Sequence, residues 1–314
     1  MMRIVSLLPS ATEIICSLGA GSSLVGVSHE CDYPAEVRGL PAVTRPKIRT
    51  DAVSAVIDQS VRALVARGLS VYEIDVERLA ALAPDVIVTQ EQCEVCAVSY
   101  REVEAAARQV LDPAVTIVSL APTVLADVWR DISRVAAALG REAQGSELVT
   151  AAADRLAALG RTTSGLARPV VACIEWLDPL MIAGNWIPEL VALAGGSYPF
   201  APPGAMSART AWSALLAARP EVVVLMPCGF TIVQTRRELP AVTARAEWRA
   251  LSAVRAARAS VVDGNSYFNR PGPRIVESAE ILAGLIHPAA CSSLIPRGAA
   301  EPVTAHASRL DTPK

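Results

Sequence analysis

The stretch Val86-Ile87-Val88-Thr89-Gln90-Glu91-Gln92-Cys93-Glu94-Val95-Cys96 decides the fold class, because a β-branched run passes into polar residues and then into a helical pattern at 98–110. Similar runs alternate with amphipathic helical patterns along the chain, which is typical of parallel sheets with crossover helices. In open α/β folds, ligands bind where the carboxyl end of a strand meets the next helix. Cys93 and Cys96 occupy such a corner, where the positive end of the helix dipole favours the thiolate. The stretch therefore predicts an α/β fold with a thiol pair placed for chemistry or for coordination.

Length, charge and hydropathy narrow the class of protein. A chain of 314 residues is too long for one ordinary core and suggests two domains. Its net charge of -2, without a run of Lys or Arg, does not provide the positive field that nucleic-acid partners need. The apolar fraction is 52%, yet no stretch reaches the roughly 18 apolar residues of a membrane span. We therefore expect two lobes, no nucleic-acid partner and no transmembrane segment.

The amino end and the cysteine content indicate a compartment. The first apolar run ends at Leu8, which is too early for the apolar core of a signal peptide, and the first strand is expected to begin at Arg3. Seven cysteines are an odd number, which suits free thiols better than a disulfide framework. We interpret the chain as cytoplasmic, or as periplasmic if an amino-terminal segment has been removed.

The pattern predicts four segments. They are an N-terminal α/β lobe at 1–122, a connecting helical segment at 123–166, a C-terminal α/β lobe at 167–288 and a tail at 289–314. The tail contains Pro, Ser, Thr and Ala without periodicity, which predicts disorder. Gly140 and Gly145 are expected to interrupt the helical connection. Ser10-Ala11-Thr12-Glu13 has the capping-box pattern, so the first helix is expected to start at Ser10.

The residues that follow each strand form the candidate site, because the carboxyl ends of parallel strands share one edge of the sheet. The ligand-binding candidates are Ser10, Glu30, Cys31, Gln90, Glu175, Trp176, Cys228, Tyr267, Phe268 and Arg270. His29, Cys93 and Cys96 are the candidate metal ligands. A single Cys-x-x-Cys is at best half of a closed zinc site, so we expect an open one. Buried cysteines more often pack as small apolar groups, and a loop histidine more often bonds to the backbone, so these alternatives stay open.

Several segments carry a resemblance to a known family. They are 3–13, which contains Leu8-Pro9-Ser10-Ala11-Thr12-Glu13, together with 24–28, 31–34, 75–88 and Pro273-Arg274. These segments resemble the helical-backbone (class III) substrate-binding proteins, and among them the cobalamin-binding components of ABC importers. The resemblance covers about residues 3–288. It implies two Rossmann-like lobes with parallel sheets, joined by one long helix, with the ligand held in the cleft between the lobes.

The functional residues of that family carry over unevenly. The resemblance implies docking of two glutamates, one on each lobe, to arginines of a membrane permease. The first matches Glu77, whereas the second position holds Ser213, which cannot form that ion pair, and this departure argues against docking. Cobalamin-binding members line the cleft with aromatic side chains. Here the matching positions are Glu30, Pro46, Gln90 and Ser207, with Tyr267 kept aromatic.

Three hypotheses follow. The first is a corrinoid-binding protein, in which Tyr267 and Trp176 contact the macrocycle and His29 or a cysteine approaches the metal. The second is a cytoplasmic thiol-dependent enzyme that acts on a corrinoid or another metal cofactor through Cys93 and Cys96, with Glu30 or His29 carrying protons. The third is a protein that stores or delivers a thiolate-bound metal without a macrocycle.

Overall fold

The computed structural model describes residues 2–67, 70–90 and 112–304. The chain divides into two compact units. Unit 1 comprises Met1–Ala52, Val56–Asp154 and Pro271–Pro273, and unit 2 comprises Val53–Ala55, Arg155–Arg270 and Arg274–Lys314. Cys93, Cys96 and the helix predicted at 98–110 lie outside the described residues. In the described ranges, no helix is long and apolar enough to cross a membrane.

The first part of the chain alternates short strands with helices. Its strands are β1 (Ile4–Ser6), β2 (Leu24–Val27), β3 (Thr44–Pro46), β4 (Tyr72–Ile74), β5 (Val86–Gln90) and β6 (Thr116–Leu120). Its helices are α1 (Pro9–Ser17), α2 (Ser54–Val65), α3 (Val76–Leu82), α4 (Leu125–Ala138) and α5 (Glu142–Thr163). Helix α5 contributes residues to both units.

The main sheet of unit 1 is parallel, in the order β2-β1-β5-β6. The chain moves from β1 to β2 on one side and from β5 to β6 on the other, so a topological switch point lies between β1 and β5. The β-branched runs make buried strands because both faces of a parallel sheet are covered. Val5, Leu7 and Ile87 are almost completely buried in the core. Strands β3 and β4 form a separate antiparallel pair.

Unit 2 contains a mixed sheet. Its strands are β7 (Val171–Trp176), β8 (Met181–Ile182), β9 (Ala208–Arg209), β10 (Val222–Leu225), β11 (Ala259–Val262) and β12 (Ala300–Pro302). Its further helices are α6 (Ile187–Leu193), α7 (Trp212–Ala218), α8 (Ile232–Thr243), α9 (Ala246–Ala250), α10 (Ser252–Arg255), α11 (Ile275–Ile286) and α12 (Pro288–Cys291). The strand order is β12-β11-β10-β7-β8-β9. Strands β7, β10 and β11 are parallel, and short antiparallel strands extend both edges.

The predicted α/β class is confirmed, and three local expectations are wrong. Helix α1 begins at Pro9 rather than at Ser10, and Leu8 is its N-cap without a side-chain hydrogen bond. Proline suits the first helical turn because its missing N–H has no partner there anyway. Gly145 lies within α5 and does not interrupt it. The part of the tail up to Pro302 is ordered, because α12 continues from α11 and β12 pairs with β11.

Two glycines of α5 differ in what surrounds them, and this difference yields a stability prediction. A Cβ on Gly145 would lie 2.5 Å from Ala136 Cβ of α4, whereas a Cβ on Gly160 would meet only Leu193 Cδ2 at 3.9 Å. Alanine gains about 1 kcal/mol over glycine inside a helix, but overpacking costs roughly 1 to 3 kcal/mol. We expect Gly145→Ala to lower the free energy of unfolding and Gly160→Ala to raise it. Urea unfolding followed by circular dichroism measures both, and equal effects of the two substitutions would contradict the close contact between α4 and α5.

Candidate functional site

A buried polar cluster lies where β1 and β2 end. Thr12 Oγ1 of α1 donates a hydrogen bond to Ser6 Oγ at 2.8 Å and lies 3.0 Å from Cys31 Sγ. Thr12 is fully buried, and only 7% of Cys31 is exposed. Cys31 therefore follows its strand as expected, but its sulfur is packed against the Thr12 hydroxyl inside unit 1.

The imidazole of His29, two residues beyond β2, is anchored by a threonine. His29 Nδ1 lies 2.7 Å from Thr44 Oγ1, and the backbone N–H of His29 donates to the same oxygen at 3.1 Å. The Thr44 hydroxyl donates to Ser28 Oγ at 2.9 Å. His29 Nε2 is buried and lies 3.2 Å from Glu30 Oε1, yet it makes no hydrogen bond within the described part of the chain.

Two further candidates lie beside the switch point of unit 1. Ser10 in α1 is 3% exposed, and Gln90 at the end of β5 is 8% exposed. The backbone of Gly272, which belongs to unit 1, passes close to Ser10, because a Cβ on Gly272 would lie 3.3 Å from the Ser10 carbonyl oxygen. Ser10 and Gln90 are thus at the predicted edge, and their contact with a ligand stays a prediction.

In unit 2, β7 carries a carboxyl group that has no cation partner among the residues described. Ser207 Oγ donates to Glu175 Oε2 at 2.5 Å and accepts from the Gly184 N–H at 3.0 Å. Burial raises the pKa of Glu175, while the hydrogen bond from Ser207 acts in the opposite direction. Burial also raises the pKa of the Cys173 thiol on the same strand. This part of unit 2 therefore favours neutral side chains.

An aromatic pair follows β7 and β10. The ring centroids of Trp176 and Phe230 are 5.2 Å apart, with an angle of 59° between the ring planes. The indole N–H of Trp176 donates to the carbonyl oxygen of Ser54, also in unit 2, at 3.3 Å. Cys228 is half-buried in the loop that leads to Phe230. Trp176 is half-buried as well, so part of its ring is available to a ligand.

The third candidate group of unit 2 follows β11. A short π-helical turn, Gly264–Phe268, carries Tyr267, and the guanidinium of Arg274 lies 5.3 Å from the centre of the Tyr267 ring. Arg270 is 4% exposed, and its guanidinium donates to Asn265 Oδ1 at 3.1 Å. Phe268 is 1% exposed and belongs to the buried interior of unit 2. Phe268 is therefore not available for the ligand contact predicted for it.

The cysteines do not form a metal centre in the part of the chain that is described. There, no group of three or more His, Cys, Asp or Glu is arranged to hold a metal ion. The predicted ligands Cys93 and Cys96 lie outside that part. Cys31 and Cys173 are buried. Of the three metal-ligand candidates, His29 alone is described.

Sequence reasoning missed the partners that orient the site. Thr44, which holds His29, belongs to β3, a strand of three residues that ends in Pro46. Proline weakens the sequence pattern of a strand, so β3 leaves little signal. Thr44 is also 16 residues away from Ser28, its hydrogen-bond acceptor. Phe230 was missed because an aromatic residue in a loop does not by itself indicate which ring it meets.

Comparison with known proteins gives matches over most of the chain. The model of the family described as "Periplasmic binding protein" matches residues 4–264. Among curated proteins, the uncharacterized ABC transporter substrate-binding lipoprotein YvrC of Bacillus subtilis (strain 168) is 25% identical over 293 residues. That alignment covers 91% of this chain and 80% of YvrC.

Solved structures show the same fold. The periplasmic vitamin B12 binding protein BtuF of Vibrio cholerae matches with a TM-score of 0.64 and 21% identity, over 91% of this chain and 97% of BtuF. A periplasmic heme binding protein from Pseudomonas aeruginosa matches with a TM-score of 0.69 and 18% identity, over 96% of this chain and 95% of that protein. At these identities the likeness concerns the fold.

The buried carboxyl group of Glu175 leads to a prediction about pH. Because its pKa is raised above the ordinary 4.5, the folded state binds a proton that the unfolded chain releases, so stability falls as pH rises from about that value towards the folded-state pKa. Glu175→Gln removes this titration. We expect the free energy of unfolding of the wild type, relative to Glu175→Gln, to decline over that interval and then to level off. Urea unfolding at a series of pH values measures the difference.

Glu247 provides a control of opposite sign. The pKa of its carboxyl group is lowered by a hydrogen bond from its own backbone N–H and by Arg245. The stability of the wild type relative to Glu247→Gln is therefore expected to decrease as pH falls through the lowered pKa. The test of Glu175 is the free energy of unfolding of the wild type minus that of Glu175→Gln. If this difference stayed constant or rose as pH increased above the ordinary pKa of glutamate, it would contradict the burial of the Glu175 carboxyl group.

Proposed function

Because this chain belongs to the periplasmic binding protein family, we propose that it is the substrate-binding component of an ABC importer and that its ligand is a metal-centred tetrapyrrole, cobalamin or haem. The predicted resemblance to substrate-binding proteins is confirmed by the family match.

The expectation of a cytoplasmic protein is wrong. The matching family is that of periplasmic binding proteins, and the curated relative is a lipoprotein. The same matches give no support to the second hypothesis, a cytoplasmic thiol-dependent enzyme, or to the third, a carrier of thiolate-bound metal.

The observation that carries the choice of ligand is the imidazole of His29. Its Nδ1 is engaged by Thr44, and its Nε2 has no hydrogen bond within the described residues. A neutral imidazole whose second nitrogen is hydrogen-bonded is the usual form of a histidine metal ligand. Glu30 Oε1 lies 3.2 Å from Nε2 and adds negative charge beside a bound cation. We assign His29 Nε2 to the metal of the ligand.

Unit 2 supplies aromatic surface for the macrocycle. The half-buried Trp176 is held by its indole hydrogen bond and by Phe230, so little side-chain entropy is lost when a flat ligand packs on it. Tyr267 is held by the cation of Arg274. Large aromatic groups with a few fixed polar groups are what ligand sites of this size use. Vitamin B12 and haem, named for two of the structural relatives, both present such a macrocycle around a metal.

The importer requires a permease, and unit 1 offers a charged contact for it. Glu77 is exposed in the first turn of α3, where Asp75 caps the helix by accepting from the Arg78 N–H at 2.9 Å. Ser213 is exposed in the first turn of α7 and offers a hydroxyl group instead of a carboxylate. We assign the ionic part of docking to Glu77.

Titration of the purified protein with hydroxocobalamin tests the ligand assignment. We expect stoichiometric binding with a shift of the visible absorption bands, because the imidazole replaces the oxygen ligand on cobalt. His29→Ala should still bind the macrocycle but lose the shift. Trp176→Ala should weaken binding by about fivefold, since an aromatic contact is worth about 1 kcal/mol. The same titration with hemin decides between the two ligands.

His287→Ala is the matched histidine control for that titration. His287 follows α11 and is bonded to the Gly195 carbonyl oxygen at 3.3 Å. Its removal should therefore leave the absorption shift unchanged. Absence of binding with both hydroxocobalamin and hemin would refute the tetrapyrrole assignment.

A charge reversal tests docking separately from ligand binding. We expect Glu77→Lys to reduce uptake of labelled cobalamin by cells that contain the intact importer, by tenfold or more, because a favourable ion pair becomes a repulsive one. The same variant, purified, should titrate with hydroxocobalamin as the wild type does. Equal uptake by Glu77→Lys and by the wild type would remove Glu77 from the docking surface.

A further inference from the structure

We infer that Thr44 and Ser28 are positioning residues, which hold His29 in the tautomer that carries its proton on Nδ1 and keeps the lone pair on Nε2. This role deepens the proposed function and rests on it, because only a ring with a free lone pair on Nε2 can bind the metal of the ligand through that atom. Neither residue is expected to touch the ligand.

The direction of the hydrogen bonds sets the tautomer. A threonine hydroxyl has one proton and two lone pairs. The Thr44 proton is donated to Ser28 Oγ at 2.9 Å, so the remaining contacts of Thr44 Oγ1 must be bonds that it accepts. One comes from the backbone N–H of His29 at 3.1 Å. The other is the contact with His29 Nδ1 at 2.7 Å, and with the Thr44 proton on Ser28 this network assigns the ring proton to Nδ1.

The same hydrogen bonds fix the orientation of the His29 side chain as well as the position of its ring proton. The Thr44 hydroxyl oxygen accepts hydrogen bonds from the backbone N–H and from the ring of His29. The Ser28 hydroxyl oxygen accepts from the Thr44 hydroxyl and, at 3.3 Å, from the backbone N–H of Glu30. Thr44 and Ser28 are each 5% exposed, so water does not replace these bonds easily. The ring of Tyr72 lies 5.2 Å from the imidazole, centre to centre, and restricts its rotation from another side. The imidazole is thus oriented before any ligand arrives.

The neighbour of Nε2 supports a cation at this position. In the neutral ring, the Nε2 lone pair faces Glu30 Oε1 at 3.2 Å, which places two electron-rich atoms together. A proton or a metal cation beside both atoms turns this repulsion into attraction. A site that fixes the lone pair and adds a carboxylate next to it is therefore suited to the cationic metal of the ligand. A partner of the other ring nitrogen, here Thr44, changes metal affinity by about 10- to 100-fold.

The tautomer of His29 can be determined by NMR in the absence of a ligand. We would record long-range ¹H–¹⁵N NMR spectra of the full chain with ¹⁵N-labelled histidine, in buffer alkaline enough to neutralise imidazole, and assign His29 by comparison with His29→Ala. We expect protonated Nδ1 in the wild type. Thr44→Val keeps the size of the side chain but removes the acceptor, so the proton should move to Nε2. Thr44→Ser should restore the wild-type pattern.

Thr12→Val is the matched control. Thr12 is a fully buried threonine at the same edge whose hydroxyl bonds to Ser6 and contacts Cys31, so its loss should leave the His29 signals unchanged. In the hydroxocobalamin titration, Thr44→Val should still bind the macrocycle as His29→Ala does, but the affinity measured from the absorption shift should fall by about 10- to 100-fold. Thr44→Ser should recover it.

The outcomes separate this role from the proposed function. Protonated Nε2 in the wild type, or an unchanged tautomer in Thr44→Val, would overturn the positioning role whatever the ligand does. The expected NMR pattern without any absorption shift in the wild type would support the positioning of the ring and overturn the contact between His29 and the metal. Loss of the expected pattern in Thr12→Val would show a general effect of buried threonines and would also overturn the specific role of Thr44.

Discussion

The parallel pairing of β1 with β5 is the constraint on which the arrangement of unit 1 depends. Ile4 lies opposite Val86 and Ser6 opposite Val88, and β1 also pairs with β2 on its other side. Because the strands run in one direction, they end at one edge of the sheet, and the chain diverges there to both sides. The candidate contacts of unit 1 lie at these ends or directly beyond them, so their proximity is a consequence of strand pairing.

Buried polar groups at that edge require partners, and the structure supplies them in chains of hydroxyl groups. An unpaired polar group costs about 1 to 3 kcal/mol when water is excluded. Ser6, Ser28 and Thr44 avoid this cost through mutual or backbone hydrogen bonds. In unit 2, the Glu175 carboxyl group likewise accepts a hydrogen bond from the Ser207 hydroxyl. His29 Nε2 differs from these groups, because it is buried without a hydrogen bond among the described residues, as is Ser119 Oγ of β6, and such atoms call for an explanation.

The sequence was sufficient for the class of fold and for the strand ends, and it failed where structure depends on distant partners. Composition alone predicts β10 at Val222, Val223 and Val224, because β-branched side chains fit a parallel sheet that is covered on both faces. Two-residue strands such as β8 have no period to detect, and β12 forms only because β11 offers an open edge. The capping pattern at Ser10 was misleading, since Pro9 already satisfies the start of the helix. His29 could be chosen from its place after a strand, but the role of Thr44 required the fold.

Among the described residues, the candidate metal donor is a nitrogen rather than a sulfur, and Cys93 and Cys96 lie outside those residues. A thiolate donor needs an environment that stabilises negative charge, whereas burial raises the pKa of the Cys173 thiol and Cys31 packs against a hydroxyl group. A neutral imidazole needs no such stabilisation, because it binds a metal through a lone pair. In the described part of the chain, the His29 imidazole has one ring nitrogen held by Thr44 and a second that makes no hydrogen bond.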